Sequence, residues 1–282
     1  MKDFLEKVKQ HMGEYRKQVL KLNQMGRFRG LEYPHILYVD NYRNQETVIK
    51  KYNVLPFCKN MTFLLQNKCH RYAHHLNSSQ IMCYNYFRPF IGDDGKKITK
   101  DLVNILERLN VPIKMCDYST CEFEYEQTSP EWSNEGSRKT NFDFYVSSGE
   151  KEVFFEIKYT EYGFGTFDLK ETDSHYKKFK NFYETKINNC PALYNGKIDF
   201  NEYYRKNYQL IRNVIRVTDK NKYVMFIYDA NNKKVKTQLE SFINNNIKKE
   251  YKRNIIGVTW QELVDYLESP HLDEFKVKYL DY

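Results

Sequence analysis

The sequence predicts an α/β fold, strands alternating with helices behind a helical N-terminal extension. Three observations carry this. CEFEYEQ (121–127) alternates aromatic and acidic residues, the period of a half-buried strand. NFDFYV (141–146) and EVFFEIKYT (152–160) are two apolar-faced runs separated by Ser147, Ser148, Gly149 and Glu150, which is hairpin-turn chemistry. YVMFIY (223–228) is a continuous apolar run of strand length, as a strand buried on both faces requires.

The remaining elements follow from helical spacing and its punctuation. Phe4, Leu5, Val8, Met12, Tyr15, Val19 and Leu22 recur at three- to four-residue steps, so 2–24 reads as an amphipathic helix. GRFRGLEYPHILYVD (26–40) is an irregular passage leading to helices at 44–52 and 60–75. In LNSSQIMCYNYFRPF, Ser78 or Ser79 caps a helix running to about Phe87 and stopped by Pro89. A further helix, Ile98 to Leu109, ends before Pro112. QTSPEWSNEGSRKT (127–140) is a polar loop. Beyond Gly163 and Gly165 come a charged helical stretch, then the strong helix FNEYYRKNYQLIRNVIRV (200–217). A basic helix from about Lys234 to Tyr251, a strand Ile255–Thr259 and a helix from Gln261 complete the order.

At 282 residues the chain is long enough for one large domain with a full core. The net charge of +8 suits a polyanionic partner but is common among ordinary proteins. Its distribution says more. Residues 201–253 hold 13 basic against 5 acidic residues, an excess equal to that of the whole chain. This is either a set of solvated Lys-rich helix faces or a phosphate-contacting surface. The six cysteines form no C-x-x-C pair, no signal peptide precedes them, and no apolar run is long enough for a membrane span. A reduced, cytoplasmic protein is expected. Cys69, His70, His74 and His75 cluster in CHRYAHH, but no second ligand pair follows at finger-like spacing, so they read as satisfied or exposed side chains rather than a zinc site. The YGFGTF loop matches no phosphate-binding fingerprint and is expected to shape one rim of a cleft.

The hairpin carries the chemistry. In its first strand Phe142, Phe144 and Val146 oppose Asn141, Asp143 and Tyr145; in its second, Val153, Phe155, Ile157 and Tyr159 oppose Phe154, Glu156 and Lys158. A two-residue Ser148-Gly149 turn sets Ser147 opposite Glu150 and Asp143 opposite Phe154. Glu156 is then the diagonal neighbour of Asp143, at a backbone distance of about 7–8 Å. Two carboxylates that converge on one cation, with a lysine two residues further along the same face, are what phosphodiester hydrolysis needs.

Asp143 in an FDF strand, Glu156-Ile157-Lys158 in the next, then a helix and a buried strand, resemble the PD-(D/E)XK, restriction-endonuclease-like nuclease superfamily. The SSQIMCYNYFRPF, TNFDFYV, VFFEIKYTE and YQLIRN segments are similar to a bacterial branch of it, over roughly residues 75 to 265. Phe142 stands where the motif has proline. The resemblance implies a restriction-endonuclease-like core with a central mixed β-sheet flanked by helices (76–282), carrying a helical N-terminal extension (1–75). It implies Asp143 and Glu156 as ligands of Mg²⁺, for which Mn²⁺ would substitute, and Lys158 as the catalytic lysine. Glu107 or Glu124 would serve as an upstream acid. Gln209, Arg212 and Asn213 match the place where related nucleases carry polar residues that buttress the site or touch nucleic acid; a bidentate phosphate contact is open to Arg212. The activity implied is metal-dependent endonucleolytic hydrolysis of DNA in restriction or anti-phage defence, with a homodimer or partner proteins of a defence system as companions. The rival expectation is a catalytically silent nucleic-acid-binding or structural subunit that keeps the nuclease fold.

Overall fold

The period-two segments assemble into one five-stranded sheet, and the helical segments cover it on both sides. The structure is a computed structural model that describes residues 2–136, 139–166, 172–194 and 200–282. The strands are β1 (Gly26–Phe28), β2 (Leu31–Tyr33), β3 (Thr120–Glu126), β4 (Asn141–Ser148), β5 (Lys151–Lys158), β6 (Lys222–Tyr228) and β7 (Ile255–Thr259). β1 and β2 form a separate small hairpin; the main sheet has the order β3-β4-β5-β6-β7. Its first two contacts are antiparallel and its last two parallel. This is the central mixed sheet of a restriction-endonuclease-like core.

The helices are α1 (Lys2–Gln18), α2 (Gln45–Val48), α3 (Ser79–Phe87), α4 (Lys100–Arg108), α5 (Thr172–Lys178), α6 (Glu184–Asn188), α7 (Arg205–Val214), α8 (Lys233–Asn246), α9 (Trp260–Val264) and α10 (Pro270–Tyr279). Parallel neighbours need a crossover connection, and α5 to α7 supply it between β5 and β6, α8 between β6 and β7. One apolar cluster joins Val153, Phe155 and Ile157 of β5 to residues of α1, α3, α4 and α10, including Val8, Tyr84, Leu102 and Phe275. A second joins Phe154, Val224 and Phe226 to Leu210 and Val214 of α7 and Leu239 of α8. The alternation read in β5 thus feeds two cores, one on each face of the sheet.

Several expectations are corrected. The helix expected over 2–24 ends at Gln18: Lys21 takes a left-handed φ of 57°, and the Arg16 guanidinium donates to the Leu22 and Gln24 carbonyls. Residues 60–75 are a chain of turns rather than a helix. Asn67 is left-handed there (φ 60°), and side chains take over from a helical ladder: Gln80 accepts from the His70 N–H and donates to the Lys68 carbonyl, while Asn53 donates to the carbonyls of Ala73 and His75. The loop at 127–140 is not simply polar, because it sinks Trp132 and Glu135, each 1% exposed, into the second core. Residues 137–138 of that loop, and 167–171 and 195–199 of the charged stretch after the hairpin, lie outside the described residues. The basic helix stops at Asn246, and the C-terminal helix divides into α9 and α10.

The hairpin register also differs. Ser148 pairs with Lys151 and Phe144 with Phe155, so Gly149 and Glu150 make the turn. Gly149 has φ 62°, which places the left-handed residue first in the two-residue turn, where a II′ turn requires glycine. The pairing slides by two residues from the expected one. Parity is preserved, and Asp143 comes to lie opposite Glu156 instead of Phe154. Phe142 and Tyr125 belong to the second core while Phe144 and Phe123 belong to the first, so alternation breaks at Asp143 and Glu124.

Candidate active site

The break in alternation is where the acids gather. The ladder between β4 and β5 ends at Phe144 and Phe155, one residue before Asp143 and Glu156. Past that point the Asp143 side chain, not a β4 carbonyl, satisfies the Ile157 N–H: Oδ2 accepts it at 2.7 Å. Asp143 is half-buried, and among the described residues nothing donates to its Oδ1. Across β4, the pairing between Phe123–Phe144 and Tyr125–Phe142 skips Glu124 and Asp143. Glu124 has φ 52° in mid-strand, a conformation that costs a non-glycine residue of order 1–3 kcal/mol. The strained backbone directs a third carboxylate, 7% exposed, toward the same place.

Each acid has its own supports. Glu156 Oε1 accepts from Lys158 Nζ and from Gln209 Nε2, each at 2.7 Å, and Oε2 accepts from Asn213 Nδ2 at 2.9 Å. Gln209 and Asn213 are four apart on α7 and therefore share a face. Glu124 Oε1 accepts from Gln80 Nε2 at 2.7 Å, and Oε2 from Asn141 Nδ2 at 2.6 Å; His70 Nε2 lies 3.3 Å from Oε2. Of the two upstream acids left open by the sequence, Glu124 enters the site, while Glu107 is exposed on α4. Arg212 turns elsewhere. It donates to Thr140 Oγ1 at 3.0 Å and lies 3.6 Å from Glu135.

The charges do not balance locally. Burial, then the Glu156 and Glu124 carboxylates, raise the Asp143 pKa well above the usual carboxylate range, against the opposing pull of Lys158 and the Ile157 N–H. Burial works to neutralise Lys158, but Glu156, Glu161 and Asp143 outweigh it and hold the ammonium above the ordinary lysine value. His70 is raised by its bond to Glu124. Four acids, Glu161 included, thus face one buried ammonium and one exposed imidazole.

Among the described residues, no group of three or more His, Cys, Asp and Glu side chains is disposed to hold a metal ion. The donor chemistry of a pair is nonetheless suitable. Mg²⁺ keeps several waters and needs one or two carboxylates. Asp143 presents an oxygen that no described group donates to, and burial, then the Glu156 and Glu124 carboxylates, make its charge costly without a cation beside it.

The loop after β5 closes one side. Phe164 lies under Lys158, 5.7 Å from Nζ to the ring centroid, and its N–H donates to Gln238 Oε1 at 3.0 Å. Gly163 and Gly165, at φ 84° and 69°, permit that turn. Beside it runs an open groove of about 710 Å³ lined by Tyr162, Thr166, Lys233, Lys234 and Gln238.

Over residues 5–280 the sequence matches the family model REase-ARP, described as restriction endonuclease associating with ARP. The chain belongs to this family. No curated protein and no solved structure matches it. Membership in REase-ARP, with the mixed sheet, identifies a PD-(D/E)XK-like, nuclease-like chain. Of the residues that the sequence of this REase-ARP member singles out, Asp143, Glu156, Lys158, Gln209 and Asn213 lie together, while Arg212 sits apart with Thr140 and Glu135. Sequence reasoning misses Gln80, and places His70 only in the CHRYAHH cluster rather than beside the acids. A buried-side glutamine inside the otherwise apolar SQIMCYNYF helix was the available signal for the first. Nothing local distinguishes His70, because its partner Glu124 is 54 residues away. No described helix is long and apolar enough to cross a membrane.

Proposed function

We propose that the chain is a metal-dependent endonuclease that hydrolyses phosphodiester bonds of DNA in restriction or anti-phage defence. The observation that carries this reading is the convergence of Asp143, Glu156 and Lys158 at the open end of the β4–β5 hairpin, with an uncompensated excess of negative charge. Asp143 and Glu156 would hold Mg²⁺ or Mn²⁺. When bound, such an ion polarises a phosphoryl oxygen and lowers the pKa of a water. Lys158, kept protonated by its acidic neighbours, steadies the charge that builds on the phosphate and does not act as a base. Gln209 and Asn213 fix both oxygens of Glu156, and Gln80 and Asn141 fix those of Glu124, so the carboxylates are oriented before substrate arrives. Tyr162, Lys233 and Lys234 line the groove along which a polyanionic strand would lie.

One observation favours the rival, a silent subunit that binds nucleic acid or a partner: Glu156 already accepts three hydrogen bonds and is 5% exposed. Purified protein is incubated with supercoiled plasmid, linear duplex and single-stranded DNA in Mg²⁺, Mn²⁺ or EDTA, alongside Lys158→Ala. Metal-dependent cleavage lost in the variant is the expected result. A folded wild-type protein that binds DNA and never cuts it supports the silent subunit instead.

A further inference from the structure

A cavity of about 380 Å³ lies between the β1–β2 hairpin and the turns at 71–75, lined by Arg27, Arg29, Arg71, Tyr72, His74 and His75 among others. That volume falls in the range of small-ligand sites. Of its three guanidinium groups, Arg27 alone is neutralised, by Glu32 at 3.0 Å. Arg29 and Arg71 have no carboxylate partner among the described residues and lie over the rings of Phe28 and Tyr72, at 5.2 and 4.8 Å. Arg29 is held there by a left-handed backbone (φ 51°) at the tip of the hairpin.

Histidines form part of the cavity wall. His74 is 6% exposed, and its Nδ1 has no hydrogen-bond partner; His75 Nε2 is likewise buried without one. Burial, then the neighbouring His74 and His35, push His75 down to about 3. An anion is the ligand that would pair the two free guanidinium groups. Around the same cavity Tyr42 and Tyr72 are 67% and 41% exposed, ring faces that a bare phosphate or carboxylate would leave unused but a nucleobase would cover.

We propose that this cavity binds a nucleoside phosphate, with its phosphate between Arg29 and Arg71 and its base against the tyrosines. The cavity is tied to the catalytic row through the chain itself. His70, which pairs with Glu124, immediately precedes Arg71, and Gln80 bonds both Glu124 and the 68–70 backbone. The unit is either a free nucleotide or the phosphorylated end of a strand whose body continues to the acids; the second source rests on the nuclease reading, the binding itself does not.

The test uses full-length protein carrying Asp143→Asn, in EDTA, so that binding is read without cleavage. Fluorescently labelled hexathymidylates with a 5′-phosphate, a 3′-phosphate or neither are titrated by anisotropy and competed with thymidine monophosphate. One phosphorylated strand is expected to bind at least tenfold more tightly than the unphosphorylated one. Arg29→Ala with Arg71→Ala should abolish the difference while the thermal midpoint stays unchanged. Competition by the mononucleotide at concentrations similar to the strand assigns a free nucleotide; competition only at a hundredfold excess assigns a strand end. Equal binding of all three strands with no displacement by mononucleotide overturns the proposal, as does a preference that survives the double substitution. Wild-type cleavage is measured separately with metal, so its absence counts against the nuclease reading and leaves this result standing.

Discussion

Two buried carboxylates are served by α7 and the turn that follows it, and are held in opposite ways. Glu135 is closed off: Arg216 bonds it at 2.7 Å, Tyr183 donates at 2.6 Å, Thr140 donates to it, and Arg212 stands 3.6 Å away. Burial works to raise its pKa, but the Arg216 charge and the Thr140 and Tyr183 hydrogen bonds outweigh burial and hold it at about 2. Glu156 instead shares its surroundings with two further acids, and the pKa of neighbouring Asp143 is driven upward. Residues 212 and 216 build the first arrangement, 209 and 213 the second. Positive charge exceeds negative around Glu135, whereas negative exceeds positive around Glu156. The first arrangement is complete without a ligand; the second gains from a cation.

Removing each acid should therefore damage different properties. Glu156→Gln is expected to lower cleavage on the order of 10⁴-fold, about 5 kcal/mol of barrier, with the thermal midpoint kept. Single-turnover cleavage and a melting curve on the same preparation check it. A variant that unfolds while residual activity per folded molecule is unchanged would make Glu156 structural.

Glu135→Gln is expected to cost about 3–5 kcal/mol of folding stability, because it leaves the fully buried Arg216 charge without its partner. Urea denaturation reads this, and Glu135→Gln combined with Arg216→Met should recover much of the loss. The pH dependence has a defined sign. The folded-state pKa lies below the unfolded value, so the contribution is present above about pH 4.5 and is lost as pH falls toward 2. It amounts to roughly 3 kcal/mol for a shift of that size. The Gln variant should lack that part of the acid transition.

The contrast explains what could be read from the sequence. Glu156 and Lys158 were legible because strand periodicity is local and residues two apart on β5 share a face; Asp143 was legible as an acid on the preceding strand, but the break in alternation around it was not. The exact facing of Asp143 and Glu156 was not, since it depends on which residue of Ser148-Gly149-Glu150 takes the left-handed place. Glu135 was invisible because a Pro- and Ser-bearing segment with alternating charges reads as a solvated loop. Only the distant Arg216 and Tyr183 make its burial tolerable. Helical spacing could have divided 209 and 213 from 212 and 216, whereas the histidine-rich turns depend on Asn53 and Gln80 from other elements.

Asp143→Asn sharpens the same comparison at smaller scale. In EDTA it should raise stability by about 1 kcal/mol, because the amide oxygen still accepts the Ile157 N–H while the cost of burying the charge, and then the repulsion from Glu156 and Glu124, is removed. Added Mg²⁺ should then raise the melting midpoint of the wild type and leave the variant unmoved. An equal midpoint rise in both proteins would place the ion elsewhere.

The smallest effect is expected for Gln209→Ala, and it separates two roles for one side chain. Gln209 Nε2 donates to Glu156 Oε1, so its loss frees a carboxylate that Lys158 and Asn213 still hold. If Gln209 positions Glu156, kcat falls about threefold, roughly 0.7 kcal/mol, with KM nearly unchanged, as for an interaction that strengthens only in the transition state. If it contacts nucleic acid instead, KM rises and kcat is spared. Arg212→Ala supplies the control from the other face. Its guanidinium sits with Thr140 and Glu135, so the substitution should lower stability without moving the kcat per folded molecule.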